Sequence, residues 1–151
     1  MSAGPSRSKP VTAPPRAVLF LCVHNSARSQ MGEAFGRALA PEGVRVWSAG
    51  SEATHVHPLA IQAMLEAGID IGEQRSKTVD QVPWREADTV ITLCGEEDEV
   101  CPAVAGHVRR LHWPLPDPSA VEGPRAIDAF RATRDEIRRR VSGLWPRAHR
   151  P

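Results

Sequence analysis

The chain has 151 residues, a formal net charge of +1 and 41% hydrophobic residues, which is typical of one soluble domain with a buried core. The near-neutral charge argues neither for nucleic acid nor for acidic partners. The early apolar run at 17–23 is far too short to cross a bilayer and lacks the cleavage site of a secretory signal, so we expect a cytoplasmic protein. Three cysteines in such a chain favour reactive or metal-binding thiols over a structural disulfide framework.

Strand-like and helix-like patterns alternate after a start rich in Pro and Gly. We predict a disordered tail at 1–15, one domain at 16–146 and a second tail at 147–151. Predicted strands cover 16–22, 44–48, 89–93 and 108–112. Predicted helices cover 28–40, 58–67 and 126–141, with a short helix at 96–100. This alternation predicts an α/β fold, with a small doubly wound sheet of four parallel strands and helices on both faces.

A strand, a short loop and a helix follow one another around Cys22 and Arg28. The five residues between them let the backbone curl into a ring whose N–H groups form an anion-binding nest. The following helix adds the positive end of its dipole, and Arg28 can hold two oxygens of a tetrahedral oxyanion. This field favours a thiolate at Cys22, with Ser29 donating to the sulfur and Asn25 bracing the loop. The alternative is an inert buried cysteine beside an ordinary amphipathic helix.

The segment Leu-Cys-Val-His-Asn-Ser-Ala-Arg-Ser-Gln-Met at 21–31 resembles the active-site loop of the low-molecular-weight tyrosine phosphatases. More narrowly, it is similar to the loop of the thioredoxin-coupled arsenate reductases built on that fold, and the resemblance runs from about Val18 to Val141. It implies a protein that takes arsenate, with phosphate or sulfate as mimics, and that binds no cofactor. From charge and the short apolar run we also expect no binding to nucleic acid or membrane, and we expect a monomer. Thioredoxin is the implied electron donor, with glutaredoxin or a mycothiol-type system left open. The implied oxyanion-binding residues are Val23, His24, Asn25, Ser26, Ala27, Arg28 and Ser29.

Asp117 stands before Pro118, after the fourth predicted strand. The resembling enzymes carry an Asp-Pro step here, which implies that Asp117 is the general acid that protonates the leaving oxygen. The alternative is a turn residue with no chemical role. We also expect Trp113 to wall the pocket. We interpret His55 and His57 as exposed loop residues, with metal binding as the alternative.

Cys94 and Cys101 distinguish the reaction from a hydrolysis, because hydrolysis changes no oxidation state and arsenate reduction needs two electrons. Cys94 follows the third strand as Cys22 follows the first, and in the implied fold these strands are neighbours, ~4.8 Å apart. We expect Cys94 to attack Cys22 and Cys101 to attack Cys94. In a helix their Cα atoms would be ~10.5 Å apart, beyond the roughly 7 Å limit for a disulfide. We therefore predict that the segment unwinds when they join. The alternatives are two buried inert thiols or a metal pair.

The resemblance also bears on a cation beside the loop. Some thioredoxin-coupled members bind potassium through positions that match Asn25, Glu33 and Ser48, plus an acidic side chain. Near that last position this chain has Lys77. We predict that the Lys77 ammonium replaces the ion by pairing with Glu33. The predicted supporting residues are Asn25, Ser29, Glu33, Ser48 and Lys77.

Two rival functions remain at the level of sequence. A low-molecular-weight phosphotyrosine phosphatase would use Cys22, Arg28 and Asp117 in the same way. Such enzymes usually have an aromatic residue after the Asp-Pro step and a second Cys before the loop Arg, whereas this chain has Ser119 and Ala27. The other rival is a non-catalytic oxyanion-binding or redox-sensing module.

Overall fold

The computed structural model describes residues 13–95, 102–106 and 108–146. Four predicted features lie outside the described residues. They are residues 1–12 of the first tail, the short helix at 96–100, Cys101 and the tail at 147–151. The predictions made for them stay predictions.

A sheet of four parallel strands forms the centre of the protein. The strands are β1 (Ala17–Cys22), β2 (Arg45–Gly50), β3 (Thr89–Thr92) and β4 (Arg109–His112). Their order across the sheet is β2-β1-β3-β4, and each neighbouring pair is parallel. All six residues of β1 are buried, as expected for a central strand covered on both faces. The predicted α/β fold with a sheet of four parallel strands is confirmed.

Three α-helices begin and end close to the predicted positions: α1 at Arg28–Leu39, α2 at Pro58–Glu66 and α3 at Ala126–Ser142. Proline starts α2 because its fixed φ suits the first helical turn. The α3 helix buries an apolar stripe that includes Phe130, Ile137 and Val141. All three helices pack into one apolar cluster with Val18 and Phe20.

The opposite face of the sheet carries Leu19, Leu21 and Val90. In the described part of the chain, this face is covered by two short 3₁₀ turns, Val79–Gln81 and Trp84–Glu86, and by residues 102–104. Both faces of the sheet are thus closed, the second by turns and loop residues among those described.

The packed domain begins slightly earlier than the predicted boundary at residue 16. Pro15 is buried, and its carbonyl accepts a hydrogen bond of 2.8 Å from the indole N–H of Trp145. The Ala13 carbonyl accepts a hydrogen bond of 2.8 Å from Arg109. Among the described helices, none has the length and apolar character that crossing a membrane requires.

The sheet brings the carboxyl ends of β1 and β3 together. Leu21 is paired with Thr92, and the Leu93 amide donates to the Leu21 carbonyl at 2.9 Å. Cys22 ends β1, and Cys94 lies two residues past the end of β3. The two cysteines therefore follow adjacent strands at the same edge, where ligands bind in open parallel sheets.

Candidate active site

A pocket of about 240 Å³ opens at this edge of the sheet. Its floor is the loop at 22–29, which contributes Cys22, His24, Ser26, Ala27 and Arg28. We call residues 22–29 the floor. The other lining residues, which we call the rim, are Thr54, His55, His57, Asp117 and Ser119.

The loop carbonyls face away from the pocket. The Val23 carbonyl accepts from the Glu52 amide and the Ser26 carbonyl from the His57 amide, both at 3.0 Å. The two intervening carbonyls accept hydrogen bonds from side chains. Ser76 donates to the His24 oxygen, and Gln30 donates to the Asn25 oxygen. In a trans peptide the N–H points opposite to the preceding C=O. The amides that follow these carbonyls therefore face the inner side of the loop, as in an anion-binding nest.

The start of α1 is open to an anion. Ala27 supplies no side-chain cap, and the first turn has no acidic residue. The first amides of a helix need acceptors, which side chains, water or a bound anion can provide. An oxyanion on the floor would meet both the nest and this helix end.

Gly50 is required for the loop to close against β2. A Cβ atom at this position would lie 2.6 Å from the Val23 carbonyl oxygen and 2.8 Å from the Asn25 nitrogen. Both contacts are with backbone, which cannot move aside cheaply. The last residue of β2 is therefore a glycine because the floor lies directly on it.

Asn25 occupies the centre of a buried hydrogen-bond network. Its backbone has φ 48°, a conformation that Asn tolerates better than most residues. Its Nδ2 donates to Ser29 Oγ at 2.7 Å and to Ser48 Oγ at 3.0 Å. Its Oδ1 accepts from Gln30 Nε2 at 2.8 Å and from the Lys77 amide at 2.7 Å. All four hydrogen-bonding positions of this amide are thus used, which holds the loop in one shape.

The network continues to Glu33, a carboxylate with 3% of its side chain exposed. Ser48 donates to Oε1, the Lys77 Nζ lies 3.4 Å from the same oxygen, and Arg37 lies 2.9 Å from Oε2. Burial lowers the pKa of Lys77, and the charge of Glu33 opposes that shift. The ammonium thus lies beside the supporting residues, in contact with the carboxylate named from the sequence.

Arg28 crosses from the floor to the neighbouring strand ends. Its side chain is 3% exposed, and Nη1 donates to the Leu115 carbonyl at 2.9 Å and to the Leu93 carbonyl at 3.3 Å. Nη2 lies 3.7 Å from Asp117 Oδ2. Backbone and carboxylate therefore hold the guanidinium in the pocket wall, beside the segment that carries Cys94.

Asp117 is held in place by the short turn that follows it. Its Oδ1 accepts from the Ser119 amide at 2.9 Å and from the Ser119 hydroxyl at 2.7 Å. The second oxygen, Oδ2, is the one nearest Arg28. The side chain is 22% exposed, so protons can exchange with solvent. The same carboxylate serves a turn and lines the pocket.

The two described cysteines differ in state. Cys22 is a buried free thiol, and its Sγ lies 2.8 Å from Ser29 Oγ, which is the partner named from the sequence. Cys94 is 2% exposed and disulfide-bonded. Because Cys101 lies outside the described residues, the predicted exchange between Cys94 and Cys101 stays a prediction.

Sequence reasoning missed part of the rim. His55 is an exposed loop residue, as we interpreted it, whereas His57 is half-buried, and both line the pocket. The available signal was the position of His57 immediately before Pro58, where a helix cap is expected. Among the described residues, no group of three or more His, Cys, Asp and Glu side chains could hold a metal ion.

Trp113 does not line the described pocket, and that prediction was wrong. Its ring packs against Phe20, with centroids 6.3 Å apart, and Arg140 lies 5.9 Å above it. Trp113 therefore covers the edge of the core. The His24 side chain lies toward solvent, 46% exposed, with Nε2 3.5 Å from Glu52.

Comparisons with known proteins agree with this geometry. The family model described as low molecular weight phosphotyrosine protein phosphatase matches residues 17–150. An arsenate reductase of Halalkalibacterium halodurans is 45% identical over 128 residues, covering 83% of this chain and 92% of the relative. A solved arsenate reductase in the phosphate binding state is 34% identical, with a TM-score of 0.73, and covers 85% of this chain and 95% of that one. The thioredoxin-dependent arsenate reductase of Corynebacterium glutamicum is 30% identical, with a TM-score of 0.63, covering 91% of this chain and 65% of that one. The chain therefore belongs to the low molecular weight phosphotyrosine protein phosphatase family, in the group of the arsenate reductases.

Proposed function

We propose that this protein reduces arsenate to arsenite. Cys22 is the nucleophile, and Cys94 and Cys101 are the thiols that end as a disulfide. The observation that carries the proposal is the position of Cys22 in an anion loop whose neighbouring strand leads directly to Cys94. A hydrolase of this family needs only the first of these features. A reductase needs both.

In the first step, the Cys22 thiolate attacks As(V) held by the inward amides of the floor and by Arg28. Ser29, 2.8 Å from the sulfur, donates to the thiolate. A sulfur–arsenic bond forms as one hydroxyl leaves, and Asp117 supplies the proton that makes it water. The fixed amides and the guanidinium stabilise the charge on the equatorial oxygens, which is the term that usually dominates such catalysis.

In the second step, the Cys94 thiolate attacks the Cys22 sulfur. The sulfur–arsenic bond breaks, its electron pair stays on arsenic, and arsenite leaves. Cys101 then attacks Cys94 and releases the Cys22 thiol, so two thiols are oxidised for each As(V) reduced. A free Cys22 beside a disulfide-bonded Cys94 is the state expected after the last exchange.

The disulfide must be reduced by an external thiol for the enzyme to turn over. We propose thioredoxin as this donor, because a relative within the family is thioredoxin-dependent. A glutaredoxin or mycothiol-type donor would perform the same exchange. Such chemistry requires a compartment that keeps thiols reduced, so we propose that the protein is cytoplasmic. We propose arsenic detoxification as its role, and a monomeric enzyme with no bound cofactor.

We further propose that Lys77 acts as a tethered cation for the floor. Its ammonium contacts Glu33, the carboxylate that orients Ser48, and Ser48 in turn accepts from Asn25. A positive charge is therefore already present at the place where the resemblance implies the potassium ion of some family members. Potassium is not needed for the loop to keep its shape under this proposal.

The phosphatase alternative is weakened by the composition of the rim. No Phe or Trp lines the pocket among the described residues, and the chain has no Tyr. An aryl phosphate would have no Phe, Tyr or Trp ring to stack against among the described lining residues. Residual hydrolysis of aryl phosphates remains compatible with the proposal, because phosphate and arsenate share a tetrahedral shape.

One coupled assay tests the proposal. The protein is mixed with arsenate, thioredoxin, thioredoxin reductase and NADPH, and NADPH loss is followed for the wild type and for Cys94→Ser and Cys101→Ser. We expect turnover only with all three cysteines. Hydrolysis of p-nitrophenyl phosphate that neither serine changes, without arsenate turnover, would show a phosphatase, and anion binding without either activity would show a non-catalytic module.

A further inference from the structure

His57 is fixed relative to the floor from three directions. Its backbone amide donates to the Ser26 carbonyl at 3.0 Å. Its ring Nδ1 accepts from the Leu59 amide at 3.0 Å, which caps the start of α2. Its ring also packs on Phe130 of α3, with centroids 4.6 Å apart. An imidazole on a loop, held in this way, has little freedom to leave the pocket.

The cap determines which ring nitrogen carries the proton. Because Nδ1 accepts from an amide, it has no proton, and the neutral ring must carry its proton on Nε2. Nε2 lies on the other side of the ring from the capped edge, and within the described part of the chain no residue hydrogen-bonds to it. Since His57 lines the anion pocket, this N–H is a donor available to a ligand.

We propose that His57 determines specificity in this pocket by donating a hydrogen bond from Nε2 to an outer oxygen of the bound oxyanion. The floor amides and Arg28 bind the inner oxygens, and the rim meets the side of the anion that faces solvent. There a hydroxyl-bearing inorganic anion presents an oxygen that can accept. An aryl ester presents a carbon substituent at the same place. A neutral donor therefore favours the inorganic anion without adding charge.

The surroundings keep the ring neutral. Burial lowers the pKa of His57 below its usual value, His55 lowers it further, and Asp117 opposes the shift. The His55 ring lies 6.4 Å away between centroids. A protonated ring would also lose the cap, because Nδ1 would then face an amide as a second donor.

Two substitutions separate the donor from the cap. In His57→Asn the side-chain oxygen can still cap α2, since Asn is a preferred capping residue, but nothing replaces Nε2–H. In His57→Gln the longer amide can present an N–H near the Nε2 position, while its capping ability is poor. His57→Asn thus loses the donor and keeps the cap, whereas His57→Gln loses the cap and keeps a donor.

The experiment measures inorganic phosphate binding by calorimetry, with the Tm of each variant and the arsenate KM and kcat in the coupled assay. We expect His57→Asn to keep the wild-type Tm and to weaken phosphate binding about three- to tenfold, with a matching rise in arsenate KM and little change in kcat. We expect His57→Gln to lower the Tm and to restore most of the phosphate affinity.

Three results would overturn the inference. These are an unchanged phosphate affinity in His57→Asn, affinity losses that simply follow the Tm in both variants, or a fall in kcat alone. The kinetic readout rests on the proposed arsenate reduction, whereas phosphate binding does not. Wild-type protein that shows no arsenate-dependent NADPH loss would refute that reaction, whatever the calorimetry shows for His57.

Discussion

The floor and the rim of the pocket are built in different ways. In the floor and its support, Asn25, Ser29 and Ser48 are fully buried, and hydrogen bonds join them into one network. In the rim, Asp117 is 22% exposed on its side chain and His55 is exposed. The Asp117 carboxylate is bonded by its near neighbour Ser119, whereas His57 is held by Ser26 and Phe130, which are distant along the chain. The floor is therefore the buried, networked part of the pocket, and the rim includes its more exposed side chains.

Arg28→Lys should have the largest effect on activity. Lysine lacks the planar guanidinium, which in Arg28 donates to the Leu93 and Leu115 carbonyls and also faces the anion. We expect kcat/KM for arsenate to fall about 10²- to 10³-fold, as when one donor to a developing anion is removed. The coupled NADPH assay measures this, with the exposed Arg125→Lys as the matched control. A loss of less than tenfold would mean that the floor amides alone bind the transition state.

Asp117→Asn removes the proposed acid and keeps a side chain of the same shape. We expect kcat to fall about 10²-fold, the usual range for a positioned proton donor, with a smaller change in KM. Ser119→Ala is the companion variant, because it removes one of the two bonds that orient Oδ1. It should cost only a few-fold in kcat. Equal losses in both variants would assign Asp117 to the turn and not to the chemistry.

Asn25→Ala tests the floor as a structural unit. It removes four side-chain hydrogen bonds and leaves buried partners unsatisfied. We expect the free energy of unfolding to fall by about 3 kcal/mol, measured by urea denaturation. Asn25→Gly relieves the positive φ but loses the same bonds, so it should be similarly unstable. If the glycine variant were as stable as the wild type, backbone strain would outweigh the network.

Lys77→Met should make the floor responsive to potassium. In the wild type, KCl and NaCl at equal ionic strength should give the same Tm and the same turnover. In the variant, Glu33 loses one of its cations, and KCl should raise the Tm by about 3 °C more than NaCl. Potassium-specific activation of the wild-type enzyme would contradict the tethered-cation proposal.

Glu66→Gln should have the smallest effect, because this group does not line the pocket and is exposed to solvent. Its carboxylate bonds to Arg131 and Arg134 join α2 to α3, and the Arg131 hydrogen bond is the main cause that lowers the pKa of Glu66 to about 2. A lowered carboxylate pKa gives stability that is present above the unfolded value and lost as pH falls through the folded value.

The stability of Glu66→Gln should therefore fall less on acidification than the stability of the wild type. Unfolding midpoints at neutral pH and at a pH between about 2 and 4.5 measure this, with the exposed Glu42→Gln as control. Identical acid sensitivity in Glu66→Gln and the wild type would show that this ion pair adds nothing to the domain.

The floor was predictable from the sequence and much of the rim was not, for a physical reason. Cys22, Arg28 and Ser29 lie on one continuous strand–loop–helix segment, so local patterning brings them together. The role of His57 depends on a contact with Ser26, which is distant along the chain. The domain boundary at Pro15 likewise depends on Trp145, 130 residues away. Non-local packing of this kind leaves no signature in hydrophobic periodicity.

Peptide mapping after a single turnover tests the central claim, that electrons pass from Cys22 through Cys94 to Cys101. Fully reduced protein is treated with one equivalent of arsenate, alkylated, and digested without reductant for mass spectrometry. We predict a Cys94–Cys101 disulfide with alkylated Cys22 in the wild type, and a trapped Cys22–Cys94 disulfide in Cys101→Ser. Arsenite formed in the wild type with Cys94 and Cys101 both alkylated would contradict it.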